Sequence, residues 1–415
     1  MSTDATPDPY RDPLVLGQRM QVLRTRRGLT RDQLGGLVGR SGSWVKAVET
    51  GRLKTPTLPV ILRIAEVLRV RDLSDLTGDQ SMRVDLFTGP GHPRFAAVRE
   101  ALNSLRLDGG DREAPSATHL SARLSRAWQA RHSAPNHRDV IGALLPDLIR
   151  DAQSAVRAAG TVADLKAAQA RLAETYFLAQ FFCAYQPDAP LVWRVADRGM
   201  TAARDSGDPH AIGLAAWLTT QAHRESAHLD AADAVTLETL RFLEPLLPDA
   251  GTDVRAVAGA LTVEAGLTAA RRGQTGTAWR YWDDARALAE SLPTGYFHPV
   301  TSFSRAVIGA HAVTVAVELH AGGESARQAA RAEAEAIPSR PRRARHRIEQ
   351  ARAYHLDARP DVALATLEQA HEAAPETVRY NGHARRIVLE EAEAKSPRRR
   401  RRASELATRL GMLTA

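Results

Sequence analysis

The stretch 28–52, which reads GLTRDQLGGLVGRSGSWVKAVETGR, constrains the fold of this chain most strongly. Thr30 and Gln33 have the spacing of a capping box, in which each side chain bonds the backbone amide of the other residue. A helix that begins there repeats apolar residues at the 3.6-residue period and ends at Gly39, since glycine readily adopts the left-handed conformation of a helix exit. Ser41 is then placed to cap a second short helix. The sequence therefore predicts two short helices joined by a turn that contains glycine.

Two helices joined in this way are typical of a helix-turn-helix, whose second helix enters the major groove of DNA. The pattern extends beyond the two helices, over Gly28, Leu29, Thr30, Leu34, Gly39, Ser41, Val45, Val48, Glu49, Gly51, Leu58, Ile61, Ile64, Ala65 and Leu68. It resembles the lambda repressor and Cro type of domain, the XRE-like regulators, in the version common in large actinobacterial regulators. The resemblance covers residues 14–78 and implies a small five-helix lambda-repressor-like DNA-binding domain.

The resemblance also implies which side chains contact DNA. With the recognition helix at about 41–50, the candidates are Arg31, Arg40, Ser41, Ser43, Trp44, Lys46, Ala47, Arg52 and Lys54, and Gly42 is expected to face the groove as well. Trp44 either contacts DNA or is a structural plug between helices. Few long amide or guanidinium side chains stand where base edges are read, which favours backbone contacts and DNA shape over direct readout.

The distribution of charge agrees with a DNA-binding segment. Residues 11–71 hold 13 Lys/Arg and 4 Asp/Glu, a net charge of 13 − 4 = +9, whereas the whole chain carries +8. The rest of the chain is therefore close to neutral, at 8 − 9 = −1. A basic excess concentrated on one segment is the electrostatic footprint of phosphate binding.

The length of 415 residues predicts more than one domain. We expect disorder over residues 1–13, the DNA-binding domain over 14–78, a linker with a short helix over 79–118, a helical solenoid over 119–395, and a basic tail with a capping helix over 396–415. The first helix of the DNA-binding domain is predicted from about Pro13 to Arg27, with Arg24 facing outward. His92 and His119 are predicted to lie solvated in loops.

The solenoid is predicted from a repeated spacing of small residues. Ala351, Tyr354, Ala363, Leu367, Ala370 and Pro375 are separated by 3, 9, 4, 3 and 5 positions, and Gly266, Ala269, Ala278, Trp282 and Ala285 by 3, 9, 4 and 3. This spacing resembles the tetratricopeptide pattern, in which small residues let paired helices cross closely and stacked pairs share one core. Residues 165–205, 211–247 and 300–336 are interpreted as degenerate copies. The alternative is an irregular helical bundle.

The sequence offers little sign of chemistry. It contains no nucleotide-binding loop, zinc-protease motif or nucleophile motif, so we expect no catalytic, cofactor-binding or metal-binding residue and no enzyme activity. The single cysteine, Cys183, is interpreted as a small buried apolar residue. With neither a signal peptide nor a stretch long enough to span a membrane, a cytoplasmic protein is expected.

These observations favour an all-α transcriptional regulator. Its partners would be double-stranded DNA, a second copy in a homodimer, and a peptide, small-molecule or protein effector on the solenoid. The aromatic residues from Tyr176 to Tyr185 are interpreted mainly as core, with Tyr176 or Tyr185 as a candidate for lining a groove of the solenoid. The alternative is a tetratricopeptide-type interaction adaptor whose helix-turn-helix is vestigial or docks a partner.

Overall fold

The computed structural model describes residues 16–53, 56, 58–70, 76, 91–104, 114–186 and 188–412. Within these residues the chain forms helices and no strand. The α-helices, numbered here in chain order, are α1 Leu16–Arg26, α2 Arg31–Leu37, α3 Gly42–Glu49, α4 Leu58–Leu68, α5 Phe95–Asn103, α6 Ala117–Ser133, α7 His137–Arg157, α8 Val162–Cys183, α9 Ala189–Ser206, α10 Pro209–Glu225, α11 Leu229–Leu243, α12 Thr252–Arg271, α13 Thr275–Ser291, α14 Arg305–Glu318, α15 Gly322–Arg331, α16 Arg340–Leu356, α17 Pro360–Ala373, α18 Pro375–Arg379, α19 Gly382–Ala392 and α20 Pro397–Arg409. The chain divides into two compact units, Met1–Gly89 and Pro90–Ala415.

The first unit packs α1 to α4 around one small core. Its buried residues are Met20, Leu34, Val38, Val45, Val48, Ile61, Leu62, Ile64, Ala65, Val67, Leu68, Val70 and Leu76. They recur at helical spacing, so each helix contributes one apolar face. Of the predicted fifth helix the structure describes only Leu76, which is helical, and the predicted disorder of residues 1–13 also falls outside the described part of the chain.

The second unit contains consecutive helix pairs, as the spacing of small residues predicted. The pairs are α8 with α9, α10 with α11, α12 with α13, α14 with α15 and α16 with α17. Ala278, Ala351, Ala363 and Ala370 are fully buried where helices cross. A side chain added to Gly266 would lie 3.2 Å from the carbonyl oxygen of Ala278. Small residues are thus placed where the helices approach most closely, and the fold is an α-solenoid of tetratricopeptide-like pairs.

The segment before these pairs is part of the same core. Phe95 and Leu102 of α5 are buried with residues of α6, α7 and α8, and Cys183 is buried there as predicted. Burial raises the pKa of the Cys183 thiol to about 12. The prediction that His92 is solvated is wrong: its exposed fraction is 5% and its backbone amide donates to Gln186 Oε1 at 2.7 Å. His119 is exposed, but it lies in the first turn of α6 and not in a loop.

The last helix is amphipathic despite its run of arginines. Its apolar residues Ala403 and Leu406 are buried. Arg399 pairs with Glu391 at 3.1 Å and Arg402 with Glu368 at 2.6 Å, so part of the basic run ties α20 to the preceding helices. No helix in the described part of the chain is long and apolar enough to span a membrane.

Candidate nucleic-acid interface

The turn between α2 and α3 is held by side-chain caps at both helix starts. Thr30 Oγ1 accepts from the amide of Gln33 at 3.1 Å, and Gln33 Oε1 accepts from the amide of Thr30 at 2.8 Å, which confirms the capping box. Ser41 Oγ accepts from the amide of Trp44 at 3.1 Å. Gly39, between the helices, has a φ of +69°, which a residue with a side chain rarely adopts. The caps therefore fix where α3 begins.

Glycines also set the distance between α2 and α3. A Cβ on Gly35 would lie 2.8 Å from the carbonyl oxygen of Arg40, and a Cβ on Gly42 would overlap Asp32 Oδ1. Such approaches are possible only for glycine. The expectation that Gly42 faces the groove is therefore wrong, because its α-carbon faces Asp32 at the start of α2.

A buried carboxylate joins the first three helices. Glu49, whose side chain is fully buried, accepts from Arg24 Nε at 2.5 Å, from Arg24 Nη2 at 3.2 Å and from Arg31 Nε at 2.7 Å. Arg24 also donates to the carbonyl oxygen of Leu29 at 2.7 Å. The prediction that Arg24 faces outward is therefore wrong. The guanidinium turns inward because α3 presents an otherwise uncompensated buried charge.

The helix-turn-helix pattern by itself predicts no role for Glu49. One signal was available: residues 16–53 contain eight Lys/Arg but only two Asp/Glu, and Glu49 follows an apolar residue on the inner face of its helix. An acid in that position is more consistent with an internal ion pair than with a surface facing phosphate. Arg31, predicted to contact phosphate, lies beside this acid with its side chain 38% exposed.

The remaining candidates lie around α3. Arg40, Ser41, Ser43, Lys46 and Arg52 are exposed. The hydroxyls of Ser41 and Ser43 are 2.8 Å apart and share a hydrogen bond. This surface therefore presents basic and hydroxyl groups, which are donors suited to phosphate oxygens.

Two of the candidate DNA-contacting residues are less exposed than these, and a third lies outside the described residues. Trp44 is half-buried and packs against the core of the first unit. The Arg40 guanidinium lies 5.8 Å from the centroid of its ring. Ala47 is half-buried, and Lys54 lies outside the described residues. Lys46 is therefore the one long side chain that projects from the exposed face of α3 itself.

Comparison with known proteins gives one family match. The model of a family described as a helix-turn-helix domain matches residues 15–76. The chain also resembles the crystal structure of Bacillus thuringiensis PlcR in complex with the peptide PapR7 and DNA, with 12% identity and a TM-score of 0.31 over 85% of this chain and 98% of that one. A TM-score of 0.31 is too low to support an argument about this chain. No curated protein matches the sequence. The family match identifies residues 15–76 as a helix-turn-helix domain.

Proposed function

We propose that this chain is a DNA-binding transcriptional regulator of the XRE-like, actinobacterial type. In this proposal α3 lies in the major groove, with Ser43 and Lys46 facing the base edges. Arg40, Arg52 and Lys54 contact the sugar-phosphate backbone on either side of the helix. The main support for the proposal is a capped helix-turn-helix whose exposed surface around α3 carries Arg40, Lys46 and Arg52.

The contacts available favour affinity for the backbone over direct base readout. Lys46 is the long side chain on the exposed face of α3, while Ser41 and Ser43 are short. Arg40 stacks on Trp44, which directs its charge beside the start of α3. Phosphate contacts fix orientation, whereas sequence is read through base edges and DNA shape. We therefore expect much of the specificity of this domain to come from DNA shape.

The proposal includes a homodimer and an effector. One small helix-turn-helix covers a half-site, and two-fold proteins read paired half-sites about one helical turn apart. The solenoid would supply the dimer surface, an effector site for a peptide, small molecule or protein, or both. Light scattering of the purified chain measures its mass directly, and a monomer at DNA-binding concentrations would exclude the dimer.

The adaptor alternative is favoured by the small number of long side chains on α3. It predicts that DNA binding is absent or has no functional consequence. The basic surplus of residues 16–53, with eight Lys/Arg against two Asp/Glu, opposes it, because a surface for a neutral partner has no need of such an excess.

Fluorescence anisotropy across a salt series tests the proposal. Labelled duplexes would be the DNA upstream of the chain's own coding sequence and a scrambled version of it. We expect a preference for the upstream DNA of about a thousandfold or more, and a log–log salt slope of about −0.9 per phosphate neutralised.

Two double variants make the test specific. Replacing Lys46 and Arg52 by Ala should abolish binding and leave the helical content unchanged. Replacing the exposed Arg280 and Arg286 of α13 by Ala removes the same charge from the second unit and should leave binding intact. If neither duplex binds even at low salt, or if both double variants bind like the unmodified chain, the regulator proposal fails.

A further inference from the structure

The first helices of the second unit pack against its later pairs. α6 contacts α16, and His132 Nδ1 lies 2.8 Å from Ser339 Oγ just before α16. The backbone amide of Arg138, at the start of α7, donates to Glu376 Oε2 of α18 at 2.6 Å. These contacts bring side chains from distant parts of the sequence together around the C-terminal end of α8.

Arginines from α6, α7 and α16 meet at that end of α8. The Arg131 guanidinium lies 4.0 Å from the ring centroid of Phe181. Arg138 Nη1 donates to the carbonyl oxygens of Phe182 at 2.8 Å and Ala184 at 3.2 Å. The Arg345 guanidinium lies 6.0 Å from the ring centroid of Tyr185.

A fourth arginine, Arg342, lies one helical turn before Arg345 on α16. Its Nη2 is 3.2 Å from Nε2 of His311. We call Arg131, Arg138, Arg342 and Arg345 the arginine cluster. Its members come from three helices, so the fold rather than local sequence assembles it.

Carboxylates lie near the cluster but pair directly only with Arg345: Glu376 is an electrostatic neighbour of Arg138, and Glu264 and Glu349 are electrostatic neighbours of Arg342. Among the described residues no Asp or Glu side chain lies within ion-pairing distance of the guanidinium groups of Arg131, Arg138 or Arg342. Arg345 pairs with Glu349 at 2.9 Å, but Glu349 also accepts from Arg352 at 2.7 Å. Each member has a covered side-chain nitrogen without a hydrogen-bond partner: Arg131 Nη1, Arg138 Nε, Arg342 Nε and Arg345 Nη1.

Three other largely covered arginines of the same unit are paired with carboxylates. Arg224 pairs with Glu264, Arg271 pairs with Glu318 at 2.7 Å, and Arg352 pairs with Glu318 at 3.0 Å. Buried cations are normally compensated in this way, because an uncompensated buried charge is costly. Among the described residues, Arg131, Arg138 and Arg342 differ from these three arginines in having no carboxylate within ion-pairing distance.

The neighbouring groups increase the electrostatic cost. Burial, together with repulsion from Arg138 and Arg342, lowers the pKa of Arg131 to about 9. Burial and repulsion from Arg345 lower the pKa of Arg342 to about 10, and the attraction of Glu349 and Glu264 offsets part of this effect. Burial and the neighbouring arginines hold the pKa of His311 well below its usual value, so this histidine is neutral. At neutral pH the cluster keeps its positive charges side by side.

Tyr185 lies beside the cluster, two residues after the end of α8. It has a φ of +65°, a left-handed conformation that is unusual for a bulky residue, and it is 42% exposed. Its side chain is an electrostatic neighbour of Arg138, Arg342 and Arg345. Arg131 and Arg342 are half-buried and Tyr185 is exposed, so the cluster lies close to the protein surface.

We propose that the arginine cluster binds a multivalent oxyanion, a phosphate or polycarboxylate group of a small ligand, beside Tyr185. Planar guanidinium groups match the two oxygens of such a group and form charge-assisted hydrogen bonds with it. The ligand supplies the negative charge that the cluster lacks. If the chain is a regulator as proposed, its effector would carry such an oxyanion. Binding of the oxyanion itself does not depend on that proposal; only its effect on DNA binding does.

The test uses the full-length chain and two probes, inorganic phosphate and citrate, with sodium chloride at matched ionic strength as the reference. Thermal unfolding and titration calorimetry are recorded for the unmodified chain, for Arg342→Gln and Arg131→Gln, and for Arg280→Gln, which removes an exposed arginine of α13. We expect phosphate or citrate to raise the Tm saturably in the unmodified chain and in Arg280→Gln. Whichever probe binds more tightly identifies the oxyanion.

The two cluster variants should separate a ligand site from a structural cluster. Removing one of several repelling charges should raise the Tm in chloride, and it should weaken probe binding by about tenfold or more. A purely structural arginine would instead lower the Tm in chloride. Equal probe binding in Arg342→Gln and the unmodified chain, or no binding of either probe, would overturn the proposal.

DNA anisotropy with and without the tighter probe completes the test. A change in DNA affinity that Arg342→Gln abolishes supports the role as effector. Probe binding without any change in DNA affinity supports the oxyanion site and contradicts its regulatory role. Loss of DNA binding under all conditions concerns the regulator proposal alone, since the probe measurements do not depend on DNA.

Discussion

Arg24 and Glu49 form a two-point ion pair that joins α1, the first helix of the first unit, to the last turn of α3. The Glu49 side chain is fully buried and that of Arg24 is 11% exposed. A buried ion pair adds little to the free energy of unfolding compared with apolar residues of the same size. Removing one partner is nevertheless strongly destabilising, because it leaves the other charge buried and uncompensated. The position of α3 therefore depends on a contact made at the opposite side of the helix from its exposed face.

Glu49→Gln should destabilise the first unit by about 3–5 kcal/mol, because Arg24 would then be buried without its counter-charge. Arg31→Gln should cost less than about 1 kcal/mol, since Arg31 is more exposed and the two-point pair remains. Hydrogen exchange followed by mass spectrometry over residues 16–53 measures both. Equal protection in the two variants would contradict a structural role for the Arg24–Glu49 pair.

The adjacent glycines of α2 should respond oppositely to alanine. A Cβ on Gly35 would meet backbone atoms at 2.8–2.9 Å, whereas nothing lies within 4 Å of a Cβ on Gly36. Gly35→Ala should therefore cost about 1–3 kcal/mol through overpacking. Gly36→Ala should raise the free energy of unfolding by about 0.5–1 kcal/mol, because alanine has the higher helix propensity. Hydrogen exchange of the peptides from residues 16–53, recorded at increasing denaturant concentrations, measures the stability of both variants. If both variants were more stable than the unmodified chain, α2 and α3 would not be as closely packed as the structure shows.

The close crossing of α16 and α17 gives a third prediction. Ala370 is fully buried, while Glu372, on the same helix, is exposed. Ala370→Leu should lower stability by about 1–3 kcal/mol, because the added carbons have no space between the paired helices. Glu372→Leu introduces the same residue on the outer face and should change stability by less than about 0.5 kcal/mol. Thermal unfolding of the two variants compares them, and similar losses would contradict the tetratricopeptide-like crossing.

Local patterns predicted the elements well. Thr30, Gln33 and Ser41 act through backbone atoms within three residues, so their spacing alone located α2 and α3. The small residues Ala363 and Ala370 likewise marked the crossing of a helix with its immediate neighbour. Such signals need no knowledge of the rest of the fold.

Long-range contacts were not predictable in the same way. His92 lies in a polar, glycine- and proline-rich stretch, yet its Nε2 is 3.3 Å from Glu376, 284 residues further along the chain. Arg24 has the spacing of an exposed helical residue and is turned inward by Glu49. Arg342 and Arg345 of the arginine cluster lie in the basic run RPRRARHR at 340–347, but nothing in the sequence places Arg131 and Arg138 beside them, because those two residues belong to other helices. Whether these charged side chains are buried or exposed depends on contacts between helices that are distant in the sequence.

A histidine pair in the second unit gives the last prediction. Nε2 of His298 lies 2.9 Å from Nε2 of His210, and Nδ1 of His298 faces the backbone amides of Val300 and Thr301 at 3.2 and 3.1 Å. Since both amides are donors, Nδ1 is the acceptor, and the Nε2 proton is donated to His210. A proton added to His298 would have to sit against those two amides.

Stability should therefore fall in mild acid. Burial and the nearby His210 lower the pKa of His298 from 6.5 to about 3 in the folded chain. Between these values the unfolded chain binds the proton and the folded chain does not. The contribution of His298 is thus complete above pH 6.5 and is lost progressively as the pH falls toward 3.

His298→Asn should flatten the dependence of unfolding free energy on pH by about 1.4 kcal/mol per pH unit across this window, which corresponds to one proton. His119→Asn, at an exposed position, should leave the slope unchanged. Urea unfolding at several pH values between 4.5 and 7.5 measures the slopes. A variant that is less stable than the unmodified chain but has the same slope would mean that His298 contributes through packing and not through its exclusion of a proton.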